Sequence, residues 1–489
     1  MTMMQIPLFK GLRKKQPDMD WIACLPVNML VTSGQILDTD GYLRSFPGLK
    51  KESDVAGISR GVIFNTAQQE VYRVCGEKLY KSGTVVDDAG GSGRTAMPFS
   101  AISQAVTTLG KLELYRYDGT HKTLDNWPES TGYPQYDIGV VRDACRLRGR
   151  YIWVKDGSGT FGITDLEDES HPDRYRPFYA AESQPDGVLG CAVWRDYVAM
   201  FGRSTIEFFT LTGSTEATDP VYSVQPPLMV TKGICGTWCK TEFAGGFAIL
   251  GGSAGDHPSV WLIDSGQAKK LATITVEKIL RSYHDGELAE AILESFNFDG
   301  HELLLIHLPR EVLCLDIANS ENGPQWCTLK TGTEEWLHTD NSPSPDIYPW
   351  MKSLYRAIDF MYENGQITVG DKQESLTGML TFDKSAQYGQ AAEHILCTPM
   401  IKADNAILSD FEIESVTGGA DRDERAFLCA TTDGVTFSQE KLIKTDGRLE
   451  FERRIRWSRI GRVRKNIGLR LRIVTTSPVT LSGARVRVD

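Results

Sequence analysis

The chain has 489 residues, 41% of them hydrophobic and 24% charged, with a formal net charge of −11. That balance is globular; it excludes a disordered or collagen-like chain, and the acidic sign argues against a general nucleic-acid coat. No apolar run approaches the roughly 18 residues of a membrane span, and the opening Met1–Pro7 followed by Lys10, Arg13, Lys14 and Lys15 lacks the order of a secretory leader. A chain made in the cytoplasm, with no membrane anchor, is expected.

In chain order, residues 1–56 hold short apolar pieces separated by Pro26, Pro47 and several glycines, and predict an N-terminal strap. From 57 to 388 one grammar repeats: an apolar strand, a Gly/Asp/Asn turn, a second apolar strand, then a polar strand and a loop. The clearest hairpins are Val71–Tyr80, Leu112–Leu124, Tyr151–Ile163 and Tyr197–Phe209. Three more join Phe247–Leu250 to Val260–Ile263, Leu303–His307 to Val312–Leu315, and Ala357–Tyr362 to Gln366–Val369. β-Branched and aromatic residues flank a turn pair in each. The spacing of about 47 residues is that of four-stranded propeller blades, which bury both faces only by stacking radially. A mainly β fold with a seven-bladed propeller (six to eight) is predicted, with a pair of stacked sandwiches as the competing architecture.

Two episodes interrupt the repeat. Val276, Ile279, Leu280 and Tyr283 recur at helical spacing, and Asp285 reads as the N-cap of a second helix carrying Leu288, Ala289, Ile292 and Leu293, so a helical hairpin is predicted at about 273–295. Pro343, Pro345 and Pro349 mark 334–350 as a long loop. Residues 389–489 predict a C-terminal sandwich-like β domain. Its charge differs from the body: 401–489 carry 17 Lys and Arg against 13 Asp and Glu, whereas the first 400 residues carry a net −15.

Ten cysteines show no C-x-x-C spacing and read as reduced thiols, with Cys235–Cys239 in a strand because of Gly233, Gly236 and Trp238. Gly251–Gly255 matches a nucleophile elbow in letters, but a strand rather than a helix follows Ser253. Gly90–Thr95 is glycine-rich yet lacks the Lys-Ser/Thr ending of a phosphate loop and reads as a flexible connection. Lys155–Phe161 and Thr432–Phe437 resemble the structural Asp-box turns of sialidase propellers. The eight histidines show no metal-ligand spacing; His301 and His307 share one face of a strand. No catalytic, cofactor or metal motif emerges.

Two charged stretches remain as candidate protein interfaces. Asp165, Glu167, Asp168 and Glu169 open the densest acidic run, read as a solvated loop or a contact to a basic patch, with a calcium site as a lesser reading. Arg448–Arg472 holds ten basic residues against Glu450 and Glu452. Arg454, Arg456, Arg462 and Arg464 share one strand parity and Ile455, Trp457 and Val463 the other; Arg459 lies between. The arginine face is open to three readings: solvated, docked on an acidic partner, or tracking phosphates.

Leu25–Leu30, Gly41–Gly48, Val71–Gly76, Ile163–Tyr175, Ala181–Gly187, Asn322–Cys327 and Ser477–Gly483 are long, ordered segments. On them the chain resembles, nearly end to end, the packaged-DNA stabilisation (tail hub) proteins of Lederbergvirus-type short-tailed phages. The resemblance implies a non-enzymatic virion protein, without cofactors. It would form a homo-oligomeric, hexameric ring below the portal and its adaptor ring. That ring extends the channel through which double-stranded DNA passes without sequence-specific binding, retains the packaged genome, and holds the tail needle and tailspikes. The stretch 334–350 reads as an insertion against that pattern. The competing function is a propeller glycosidase or a carbohydrate-binding propeller acting on host surface polysaccharide.

Overall fold

A computed structural model describes residues 2–6, 8, 24–32, 41–181, 185–214, 216, 219–318, 325–333, 354–416 and 424–488. The proline-rich stretch 334–350 and part of Asn322–Cys327 lie outside the described residues.

Each predicted hairpin falls in its own antiparallel sheet, giving seven blades at 59–88, 103–123, 141–180, 188–224, 240–270, 292–329 and 357–381. The second blade has three strands and the seventh takes its fourth, Gly48–Asp54, from the N-terminal segment. That strand closes the ring by pairing Leu49 with Leu380 and Lys50 with Met379. Stacking explains why inner strands read as continuous apolar runs. In the sixth blade, His301–His307 and Val312–Asp316 are buried almost throughout, because neighbouring blades cover both faces. Apolar clusters fill successive interblade spaces: Val74 with Val106, Leu114 with Trp153, Ile152 with Val198, Ile249 with Leu304, and Leu305 with Val369. Each such buried side chain contributes about 1.5–3 kcal/mol.

The seam between blades 7 and 1 is held by polar contacts. Ser59 donates to the Asp359 carboxylate at 2.7 Å and Arg73 to the Asp359 carbonyl at 3.1 Å. A cleft of about 450 Å³ opens beside them, lined by Glu52, Arg73, Tyr80 and Glu363 among others.

The C-terminal domain is a sandwich of two sheets. One orders Met29–Thr32, Tyr42–Ser45, Thr480–Val488, Ile407–Ser415 and Ile455–Arg462, with Thr2–Ile6 also alongside Thr480–Val488. The other orders Ala392–Cys397, Asn466–Thr475, Glu424–Thr431 and Lys441–Asp446. Phe411, Trp457, Leu471 and Val486 lie in the core between them. The N-terminal segment, read as a strap, thus supplies strands to both domains.

The junction between domains is a short peg, residues 26–28. Val27 bridges Ile395 of the sandwich and Thr328 of blade 6. Asn28, at φ 54°, donates its amide to the carbonyls of Lys330 (2.9 Å) and Glu393 (2.8 Å), and its side-chain oxygen accepts from the Lys330 N–H at 2.9 Å. Asparagine suits this place because it tolerates left-handed backbone and carries donors and an acceptor together.

Three local readings need correction. The second helix ends at Ala289 with His284 as its N-cap; Ile292 and Leu293 open a strand, whose edge pairing outweighs their helical spacing. Cys235–Cys239 is a turn, not a strand: Gly236 lies so close to Ala289 that a Cβ would sit 1.9 Å from its carbonyl oxygen. Of the ten cysteines, Cys24 and Cys397 are joined as a disulfide, against the reading of all as reduced.

Candidate assembly surfaces

The propeller axis is filled by side chains. Lys240 of blade 5 meets Asp143 of blade 3 at 2.8 Å, and the Cys191 N–H of blade 4 donates to the same carboxylate at 2.9 Å. Arg94 reaches from the glycine-rich connection to Asp359 of blade 7 at 2.7 Å. Burial opposes the Asp359 carboxylate, but Arg94 and Arg73 outweigh it and hold its pKa below the ordinary value. Glu294 accepts from the Asp359 N–H at 2.8 Å and from His307 at 2.5 Å, and Lys372 donates to the other His307 nitrogen at 3.0 Å. Burial, then Lys372, drives the His307 pKa down to about 4, and burial brings Lys372 down to about 8.

Placing the motifs shows what they do. The glycine-rich connection presents carbonyls rather than N–H groups inward: Arg60 donates to the carbonyls of Gly90 and Gly93, both at 2.6 Å. A phosphate cradle needs the opposite polarity; the connection instead binds Arg60 and sends Arg94 to Asp359. Ser253 accepts from Lys232 at 2.8 Å and donates to the Thr231 carbonyl at 2.8 Å; the His257 ring meets the Pro258 carbonyl. Asp433 is a turn former, accepting from the Val435 and Thr436 N–H groups and the Thr431 and Thr436 hydroxyls. Among the described residues no cluster of His, Cys, Asp and Glu is arranged to hold a metal ion.

The acidic run is mostly internal. Asp165 is buried beside Arg174 at 3.4 Å, Glu169 is buried and accepts from Ser103 (2.5 Å) and Ser100 (3.2 Å), and Asp173 pairs with Arg150 at 2.7 Å. Asp168 caps Ser170 and lies 3.5 Å from Lys122. Only Glu167 of the four predicted residues stands exposed, and it holds Arg174 at 2.5 Å. The run is therefore not a solvated loop as a whole.

The arginine face divides in two. On the outer side of the sandwich, Asp410, Glu412 and Glu414 alternate along Ile407–Ser415, between two arginine-bearing strands. Glu412 takes Arg454 through two 2.6 Å bonds, Asp410 takes Arg456, and Glu414 takes Arg485. These hydrogen bonds raise the Arg454 and Arg456 pKa values further. A bulge opposite Leu408/Asp410, with Arg459 at φ 56° and Gly461 at φ 130°, then turns the strand away. Beyond it Arg459, Arg462 and Arg464 are exposed, and among the described residues none of the three pairs with a carboxylate. Arg472, the last residue of the basic run, is buried, with Glu393 at 3.2 Å and Glu440 at 2.9 Å. The alternating Asp410, Glu412 and Glu414 were the available signal that Arg454 and Arg456 are satisfied within the chain.

Two family models described as the β-propeller and the β-sandwich of bacteriophage P22 Gp10 match residues 4–385 and 393–489. The chain belongs to this family. A tail hub protein, gp10 of Salmonella phage P22, is 52% identical over 489 residues, covering 100% of both chains. Among solved structures, PorZ of Porphyromonas gingivalis matches 71% of this chain and 44% of its own at 10% identity and a TM-score of 0.35. The Dos1 propeller matches 72% and 88% at 12% identity and a TM-score of 0.34. In the P22 Gp10 family frame, the first three N-terminal strands lie in the sandwich although the propeller match begins at residue 4.

Proposed function

We propose that this chain is a tail hub: a structural virion subunit, made in the host cytoplasm, that assembles as a hexameric ring beneath the portal and adaptor ring. The observation that carries the reading is end-to-end identity of 52% with the P22 tail hub protein. As in the resemblance, the ring extends the DNA channel, retains the packaged genome and anchors the tail needle and tailspikes. The filled propeller axis supports a division of labour. Duplex DNA has no path through a channel occupied by Lys240–Asp143 and Arg94–Asp359, so its passage belongs to the lumen of a ring of subunits. An acidic lumen would keep phosphates from sticking during ejection; lumen-facing residues that proved mostly Lys and Arg would sink that point.

Arg459, Arg462 and Arg464 are among the cations left for a neighbour. Reversing Arg462 and Arg464 together to Glu is expected to leave the melting temperature unchanged and to abolish ring density on filled heads. Arg456→Glu should instead lower the melting temperature, because it sets a second carboxylate against Asp410 and leaves Asp410 the longer 3.7 Å contact to Arg487. Normal rings from the Arg462/Arg464 double variant would remove this interface. The test of the function itself mixes purified protein with DNA-filled, adaptor-bearing heads that leak. Restored retention with ring density at the vertex supports the tail hub; no binding would return weight to a free propeller acting on polysaccharide.

A further inference from the structure

The antiparallel bridge between Val27 and Ile395, with N–H to carbonyl bonds of 2.9 and 3.2 Å, sets the register of the N-terminal peg on Ala392–Cys397. Continued outward, that register brings residue 24 beside residues 397–398, and the Cα atoms of Cys24 and Cys397 are 6.7 Å apart. Ala392–Cys397 is the border strand of its sheet, so the peg is what covers its open side.

Cys24 differs from the remaining thiols in access. It is exposed, whereas seven of the eight other free cysteines are buried and Cys235 nearly so. Burial pushes Cys75 up to about 11 and Cys235 up to about 12, and raises Cys191, Cys239 and Cys314 well above the ordinary thiol value. Such thiols present almost no thiolate and no approach to an oxidant. Among the described cysteines, the one placed to start an exchange has its resolving partner beside it.

We propose that Cys24 and Cys397 form a covalent staple whose state is set by compartment: dithiol in the reducing cytoplasm, disulfide in the released virion. The proposal rests on the tail hub reading, which moves the chain from one compartment to the other. The oxidant is a small-molecule disulfide. The Cys24 thiolate attacks one of its sulfurs and expels the first thiolate. The Cys397 thiolate then attacks Cys24 Sγ in the mixed disulfide and expels the second. Two protein thiols become one disulfide, two small-molecule thiols are formed, and the two protons go to the leaving thiolates. During assembly the peg is held by non-covalent contacts, those of Pro26, Val27 and Asn28 among them, so a misdocked N-terminus can lift and re-dock. After release it is pinned at the border strand.

The test is a thiol map. Infected cells are quenched in acid and alkylated with N-ethylmaleimide, and released virions are treated in parallel before digestion and mass spectrometry. The staple predicts Cys24 and Cys397 alkylated in about nine of ten chains from cells and cross-linked in about nine of ten from virions. Free thiols in virions, or the cross-link already complete in cells, would overturn it. Absence of the chain from virions would overturn the tail hub reading instead, and the same map shows which has failed. In vitro, the full-length chain treated with oxidised glutathione at alkaline pH should gain the cross-link and melt a few degrees higher. Cys24→Ser, a change at an exposed position, should melt at the same temperature with and without reductant. A wild-type melting temperature indifferent to oxidation would show that no staple forms.

Discussion

Glu393→Ala is expected to destabilise the sandwich by about 3–5 kcal/mol, the usual result of removing one member of a buried ion pair. Glu393 is fully buried and takes Lys330 of the propeller side at 2.7 Å and Arg472 of the sandwich at 3.2 Å. Its backbone carbonyl receives the Asn28 amide at 2.8 Å. One residue therefore meets the propeller, the sandwich and the N-terminal peg. Without the carboxylate, Lys330 is left as an uncompensated cation, whereas Arg472 keeps Glu440 and its 3.8 Å stack on Phe427. The loss should therefore be read mainly at the junction. A chain of two domains does not unfold in one step, so the measurement is urea unfolding followed at Trp457, buried in the sandwich core. The Trp457 transition should move to lower urea and separate from the far-ultraviolet signal of the propeller. Adding Lys330→Met should recover much of the loss, since no buried cation then lacks a partner. A single-variant cost below about 1 kcal/mol would mean that the pair is replaced by solvent and that the junction is carried by its other contacts, those of Val27 and Asn28 among them.

The propeller was legible because its code is local. Two apolar strands around a Gly, Asp or Asn turn are written within a dozen residues, and seven such hairpins found seven blades. Ring closure was not legible. Gly48–Asp54 pairs with Leu376–Thr381, and its own pattern ends in Lys, Lys, Glu, Ser and Asp, as any solvated border strand would. Spacing alone also misled at Ile292 and Leu293, where positions four and five residues after Leu288 suit a helix face and equally open a strand. Charge was the least legible property. Asp165–Asp173 is a contiguous acidic run whose partners Arg150, Arg174, Ser100 and Ser103 arrive from two blades and their connections. Arg454 and Arg456 looked free because Asp410 and Glu412 lie more than forty positions upstream. Of the five arginines singled out, Arg459, Arg462 and Arg464 lack a carboxylate partner among the described residues, a smaller candidate surface than the sequence suggested.

Acidification should weaken the chain through two buried histidines, and His394 gives the cleaner test. It lies in the border strand at the junction and is 1% exposed. One ring nitrogen donates to the Asn28 carbonyl at 3.0 Å, which fixes the tautomer, while the other is buried without a partner. Protonation would place an unsatisfied N–H and a charge there, and burial accordingly holds the pKa down to about 4 against an ordinary 6.5. The unfolded chain therefore binds a proton that the folded chain refuses between those values. Stability from this residue is fully present above pH 6.5 and is lost as pH falls toward 4, by on the order of 3 kcal/mol. His307, also near 4 in the folded chain, adds a loss of the same sign, although Glu294 and Lys372 share its protons. Wild-type protein should thus show a urea midpoint that falls steeply between pH 6.5 and 4.5. His394→Gln, which keeps a donor for the Asn28 carbonyl and cannot titrate, should lower stability at pH 7 yet flatten that fall by about 2–3 kcal/mol. An unchanged slope in this variant would place the acid sensitivity elsewhere, with the axial network of His307, Glu294 and Lys372 as the next group to test by His307→Gln.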